Sequence, residues 1–120
     1  MHAQSAPATI ETLRQATEGR DADTLISLYA DNAEMQVVDR LHPPSKPLEL
    51  RGKEAIRAYL ADICGRAMTH QIRGAVTNGD VWAYTQFCTY PDATHVLCMA
   101  SVTVADGKIA RQTNVQVWDE

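Results

Sequence analysis

Four histidines, at positions 2, 42, 70 and 95, and three cysteines, at 64, 88 and 98, are the side chains of this 120-residue chain that titrate nearest neutral pH. An imidazole near its ordinary pKa of about 6.5 can give or take a proton without further tuning. His70, in Met68-Thr69-His70-Gln71-Ile72, is therefore a candidate general acid or base, against the plainer reading of a surface or capping histidine. Asp39 is a candidate carboxylate base, or else a solvated strand end beside Arg40. His42 lies among Pro43, Pro44 and Pro47 and reads as an exposed loop residue, or as part of a lid over a pocket mouth. The histidines show no H-x-x-x-H spacing and the cysteines no C-x-x-C, so neither a metal site nor a disulfide framework is expected. The cysteines read as small buried apolar residues, and no cofactor is expected.

A second polar set recurs at a spacing of two. In the run 108–118, Gln112, Asn114 and Gln116 fall on one side of a strand and Thr113, Val115 and Val117 on the other, because strand side chains alternate faces. Either the amides face water, or the sheet is curved and they line a cavity beneath helices while the valines meet another sheet. Periodicity allows both.

The elements that would hold these residues follow from turn and strand signals. Asp106-Gly107 between the apolar runs 94–104 and 108–118 predicts a hairpin, since Asp-Gly suits the primed turns whose twist matches paired strands. The run 81–90 (Val-Trp-Ala-Tyr-Thr-Gln-Phe-Cys-Thr-Tyr) predicts a strand, with Pro91-Asp92-Ala93 turning it into the next. A strand over 69–77 precedes it, joined by Asn78-Gly79. Upstream, the pattern predicts helices over 9–17, 23–29 and 53–64, a turn at 30–33, a strand over 34–40 with Met35, Val37 and Asp39 on one face, and an irregular excursion over 41–51.

The chain is expected to form one domain, with residues 1–7 a flexible tail. Its composition, 45% apolar and 22% charged, is that of a soluble globular protein. A net charge of −4 with scattered basic residues argues against nucleic-acid binding, and no apolar run approaches a membrane span. Residues 1–7 lack the order of a signal peptide, so the cytoplasm is the expected location.

The element order, with the phrases Leu28-Tyr29-Ala30-Asp31-Asn32-Ala33, Arg51-Gly52-Lys53-Glu54-Ala55-Ile56 and Asp106-Gly107-Lys108-Ile109, resembles the nuclear transport factor 2-like superfamily. Within it the chain looks most like the SnoaL-like polyketide cyclases and the ketosteroid isomerases, over residues 8 to 119. The resemblance implies an α+β, cone-shaped, cystatin-like fold: a curved, mostly antiparallel sheet wrapped around three N-terminal helices, with a deep pocket on its concave face. It favours the inward reading of Gln112, Asn114 and Gln116, and turns Trp82, Tyr84, Gln86, Cys88, Tyr90, Cys98, Ala100 and Val102 inward as well. Tyr59, on the third helix, joins the ligand-binding set. It also implies a homodimer through the outer sheet face, where Thr113, Val115, Val117, Leu97 and Met99 form an apolar patch.

The ketosteroid isomerase signature does not carry over. Its phenol, base and neutral acid fall on Leu13, about Val37 and about Ala100, which cannot perform that chemistry. Asp39, two residues beyond Val37, lies on the same face. His70 matches the proton-transferring histidine of SnoaL-like and scytalone dehydratase-like members, and the acid that would orient it matches Glu18. His95 is expected to face away from the pocket, and Tyr84 and Tyr90 read as core aromatics with a satisfied hydroxyl rather than as catalytic acids. Two function classes follow. One is a cofactor-free lyase, isomerase or cyclase acting on a small hydrophobic carbonyl compound, with His70 or Asp39 as base and Gln112, Asn114 or Tyr84 polarising the carbonyl. The other is a binding or dimerising module that holds an apolar ligand without turnover.

Overall fold

The helical layer begins with side-chain caps. The Thr9 hydroxyl accepts the Thr12 N–H at 3.1 Å and starts α1 (Ile10–Glu18); the Asp21 carboxylate accepts the Thr24 N–H at 3.1 Å and starts α2 (Ala22–Ser27). Each satisfies one of the N–H groups that a helix leaves unpaired at its start. The third helix, α3 (Lys53–Gly65), begins at Gly52, whose φ of +88° is one that side-chain-bearing residues avoid. This is a computed structural model, and it describes residues 7–119; His2 and all of the expected tail except Pro7 lie outside the described residues.

Six strands form one sheet: β1 (Tyr29–Val38), β2 (Leu48–Arg51), β3 (Thr69–Asn78), β4 (Val81–Thr89), β5 (His95–Ala105) and β6 (Lys108–Trp118), in the order β2-β1-β6-β5-β4-β3. Asp106 and Gly107, with φ of 52° and 78°, make the turn between β5 and β6. Both residues in the left-handed region is the mark of a type I′ turn. From there β3 to β6 run as an antiparallel meander, and β1 pairs β6 in parallel. The fold is mixed α+β, with a curved, open sheet over one helical layer.

Three expectations need correction. The second helix stops at Ser27, and Tyr29 belongs to β1. Residues 30–33 are a bulge within β1: Tyr29 pairs with Ile109 and Glu34 with Arg111, so the chain spends extra residues there while staying in the sheet. Residues 41–51 are not wholly irregular, because Leu48–Arg51 follows Pro47 as a short edge strand on β1.

The helices cover the face that carries the amides. Gln112 and Asn114 are buried and Gln116 half-buried, while Thr113, Val115 and Val117 are exposed on the other side. Leu13, Ala16, Ile26 and Ile56 from the helices share a packed core with Val37, Trp82, Val102 and Ile109 from the sheet. Each fully buried Leu, Ile or Val side chain among them contributes about 1.5–3 kcal/mol. A smaller cluster, Met68, Cys88 and Val96 with Tyr90 and Trp118, sits apart from it. Between the two clusters the interior is not filled. No helix among the described residues is long and apolar enough to cross a membrane.

Candidate functional site

A cavity of about 440 Å³ occupies that gap. Its floor is built by neighbouring strands. Tyr29 donates its hydroxyl proton to Gln112 Oε1; Gln112 Nε2 donates to the Tyr84 hydroxyl oxygen at 3.1 Å and to Asn114 Oδ1 at 2.9 Å. The sheet register explains the convergence, since Gln112 stands between Met35 and Val102, while Ala100 lies between Tyr84 and Asn114. Two donors remain to face a ligand. Tyr84 uses its oxygen as an acceptor and keeps its proton, and Asn114 Nδ2 has only the weak acceptor Met35 Sδ, at 3.7 Å. Burial holds the Tyr84 phenol well above its ordinary value, so it stays protonated. Burial likewise pushes the Tyr59 phenol up to about 12; Tyr59, on α3, accepts from Gln116 Nε2 at 3.4 Å.

One wall comes from β3 and β4. His70 is 4% exposed, with Nδ1 at 3.1 Å from Cys88 Sγ and 3.3 Å from Gln86 Nε2. Gln86 Nε2 is a donor, so Nδ1 accepts and the ring proton sits on Nε2. That Nε2 is buried and meets no hydrogen-bond partner among the described residues. Burial, and then the nearby Arg20, lower the His70 pKa, which favours the neutral ring.

The mouth is marked by lining residues that also reach solvent, among them Arg40, Leu41 and Arg66. Arg66 donates to the Tyr90 hydroxyl at 2.9 Å, Tyr90 stacks on Trp118, and the Arg40 guanidinium lies 4.4 Å over the Trp118 ring. Asp39 and His42 line the same rim. Their backbones form an antiparallel bridge around Arg40-Leu41, and Asp39 Oδ1 takes both the Leu41 N–H at 2.9 Å and His42 Nδ1 at 2.8 Å. An aspartate accepting from the residue two positions on is an Asx turn, and Pro43 disfavours a helical backbone at His42.

The sequence-derived site residues therefore divide. Tyr59, His70, Tyr84, Gln86, Tyr90, Gln112, Asn114, Gln116 and Asp39 all line the cavity. Trp82 does not: it faces inward as expected, but one inward position further from the mouth than Tyr84, where it is packed into the main core. Glu18 does not orient His70. Its carboxylate accepts the Ile72 N–H at 2.9 Å and pairs with Arg14 at 3.1 Å, docking the end of α1 on β3. Sequence reasoning missed Tyr29, hidden by its reading as a helical residue, and the contact of His42 with Asp39. The usable signal for that contact was an aspartate followed, three residues on, by a histidine before proline. Among the described residues, no three His, Cys, Asp or Glu side chains gather as a metal site would require.

The family model of the SnoaL-like domain matches residues 10–112. The chain belongs to the SnoaL-like family. Its fold recurs in solved structures at low identity. A nuclear transport factor 2-like protein of unknown function from Mesorhizobium loti superposes with a TM-score of 0.80 at 15% identity, covering 90% of this chain and 87% of that one. A candidate ketosteroid isomerase from Kribbella flavida gives 0.75 at 15%, covering 92% and 74%. A candidate polyketide cyclase from Sinorhizobium meliloti gives 0.65 at 21%, covering 88% and 91%. No curated protein matches the chain in sequence. These likenesses concern the fold; the lining of this SnoaL-like domain must be read from its own residues.

Proposed function

We propose that this SnoaL-like domain carries out cofactor-free acid/base chemistry on a small hydrophobic carbonyl compound. The observation that carries the reading is one cavity with two chemically opposite ends: a floor with neutral donors, Tyr84 O–H and Asn114 Nδ2, and a rim with a carboxylate, Asp39. The walls between them, including Leu25, Met35, Leu60 and Val96, are apolar. A carbonyl oxygen at the floor would gain negative charge as a neighbouring C–H is deprotonated, and donors held in a dry site stabilise such an oxygen. Asn114 pairs with Val37 in the sheet, and Asp39 continues the face of Val37 by two residues, or roughly 7 Å along the strand. That separation suits a ligand spanning floor and rim. The His70 Nε2–H is a third donor: left buried without an acceptor it costs about 1–3 kcal/mol, which a second ligand oxygen would recover.

Deuterium uptake at the α-carbon of 2-tetralone in D2O, followed by NMR, tests the reading. Uptake faster than in buffer and dependent on Asp39 supports it. Binding of 2-tetralone without uptake makes the domain a binding module, and neither binding nor uptake removes the carbonyl reading.

The outer sheet face supports a homodimer. Met99 stands opposite Val115 and Leu97 opposite Val117, all of them exposed, with Met99 at 61% and Val117 at 66%. An apolar patch of this kind marks an interaction surface, and a symmetric pair would cover it. Light scattering at micromolar concentration should give twice the chain mass for the wild type and the chain mass for Met99→Lys/Val117→Lys. A monomeric wild type contradicts the dimer.

A further inference from the structure

We propose that His42, which the sequence marks as an exposed loop residue or part of a lid, is the group that exchanges the proton with the ligand, and that Asp39 is its positioning residue. This rests on the carbonyl reading of the cavity and names the atom at its basic end. Asp39 Oδ1 already receives two donors, the Leu41 N–H at 2.9 Å and His42 Nδ1 at 2.8 Å. A carboxylate accepting at Nδ1 fixes the proton on that nitrogen and leaves the lone pair on Nε2. A nitrogen base held in one tautomer by an acid, at the edge of a cavity, is the arrangement that general base catalysis needs.

Access separates the two members. The Asp39 side chain is 18% exposed and the His42 side chain 35%. Both line the cavity, the imidazole is the more exposed of the two, and its Nε2 lies across the ring from the nitrogen that meets the carboxylate. The backbone bridge, with Asp39 N–H to His42 O at 3.0 Å and His42 N–H to Asp39 O at 3.1 Å, fixes the pair to the end of β1. His70, the other imidazole of the cavity, has Nδ1 occupied as an acceptor and no carboxylate in hydrogen-bond reach among the described residues.

The step balances within the ligand and these residues. The α-C–H bond breaks, its proton passes to His42 Nε2, and its electron pair moves through the new C=C to leave negative charge on the carbonyl oxygen. Tyr84 O–H and Asn114 Nδ2–H hydrogen-bond that oxygen. Returning the proton to the same carbon gives exchange, and returning it to a conjugated carbon gives isomerisation.

The test uses deuterium uptake into 2-tetralone by the full chain. His42→Asn keeps an N–H where Nδ1 stands, so the bond to Asp39 and the turn are retained while the basic nitrogen is lost. Uptake should fall by about 10²–10⁴-fold, with 2-tetralone affinity and thermal midpoint close to wild type. His42→Ala should lose as much and regain rate in proportion to added imidazole, which reads the same chemistry should the turn not tolerate asparagine. Asp39→Asn should cost less than His42→Asn, and the double variant no more than His42→Asn alone, because one residue acts through the other. Wild-type uptake that survives both His42 substitutions but is lost in Asp39→Asn makes the carboxylate the base and overturns this assignment, leaving the cavity reading in place. A wild type with no uptake overturns both.

Discussion

The two imidazoles of this cavity occupy opposite situations. His70 is on an inner wall, 4% exposed, wedged between a thiol and an amide, with no acid in hydrogen-bond reach among the described residues. His42 is on the rim, in a turn, with a carboxylate at 2.8 Å. By residue type and strand position His70 is the stronger candidate for proton transfer; by partners it is the weaker. A buried imidazole whose Nδ1 accepts and whose pKa is lowered by desolvation is a neutral hydrogen-bond donor. The partner, more than the residue type, decides the role.

After the loss of His42 itself, breaking the floor of the cavity that both histidines line has the largest effect. Tyr84→Phe should slow deuterium uptake into 2-tetralone by about 10²–10³-fold, the usual loss for one donor to a developing oxyanion. A smaller loss would move the oxyanion site elsewhere.

The next effect separates the histidines. His70→Leu should weaken 2-tetralone binding no more than roughly five- to tenfold, the share of a single hydrogen bond, and leave the bound ligand exchanging. The same variant should change the acid limb of stability. Unfolded His70 takes up a proton as pH falls below its ordinary value of 6.5, while the folded residue, with its lowered pKa, resists it. Protonation therefore favours the unfolded chain, and stability is lost as pH drops from about 6.5. Thermal midpoints should fall between pH 7 and pH 5 in the wild type and fall less in His70→Leu. Parallel profiles would show that His70 is not held neutral.

The smallest effect concerns Glu18. Glu18→Gln weakens the bond to the Ile72 N–H and removes the pair with Arg14, and should destabilise the fold by roughly 1 kcal/mol in denaturant titrations. Uptake by the folded fraction should not change; a large kinetic loss would restore Glu18 as the partner of His70.

What was legible in the sequence was local. Asp106-Gly107 announced its turn, and alternation along β4, β5 and β6 placed Tyr84, Gln112 and Asn114 on one face, with the resemblance choosing which face is inside. Trp82 shared that alternation, but alternation gives a face and not a depth, so the boundary between cavity and packed core was out of reach. Edge strand β2 has four residues and little periodicity to show. The parallel pairing of β1 with β6 joins segments some eighty residues apart and leaves no local signal. The Asp39–His42 contact depends on two residues of turn folding back, in a stretch whose prolines suggested only irregularity.

A long-range 1H–15N spectrum of histidine-labelled protein at pH 8, above the ordinary imidazole value of about 6.5, compares the two rings in one experiment. Opposite tautomers are expected, with His42 protonated on Nδ1 beside Asp39 and His70 protonated on Nε2. His42 protonated on Nε2, or averaged between its two nitrogens, would contradict the claim that Asp39 holds a base at the mouth of the cavity.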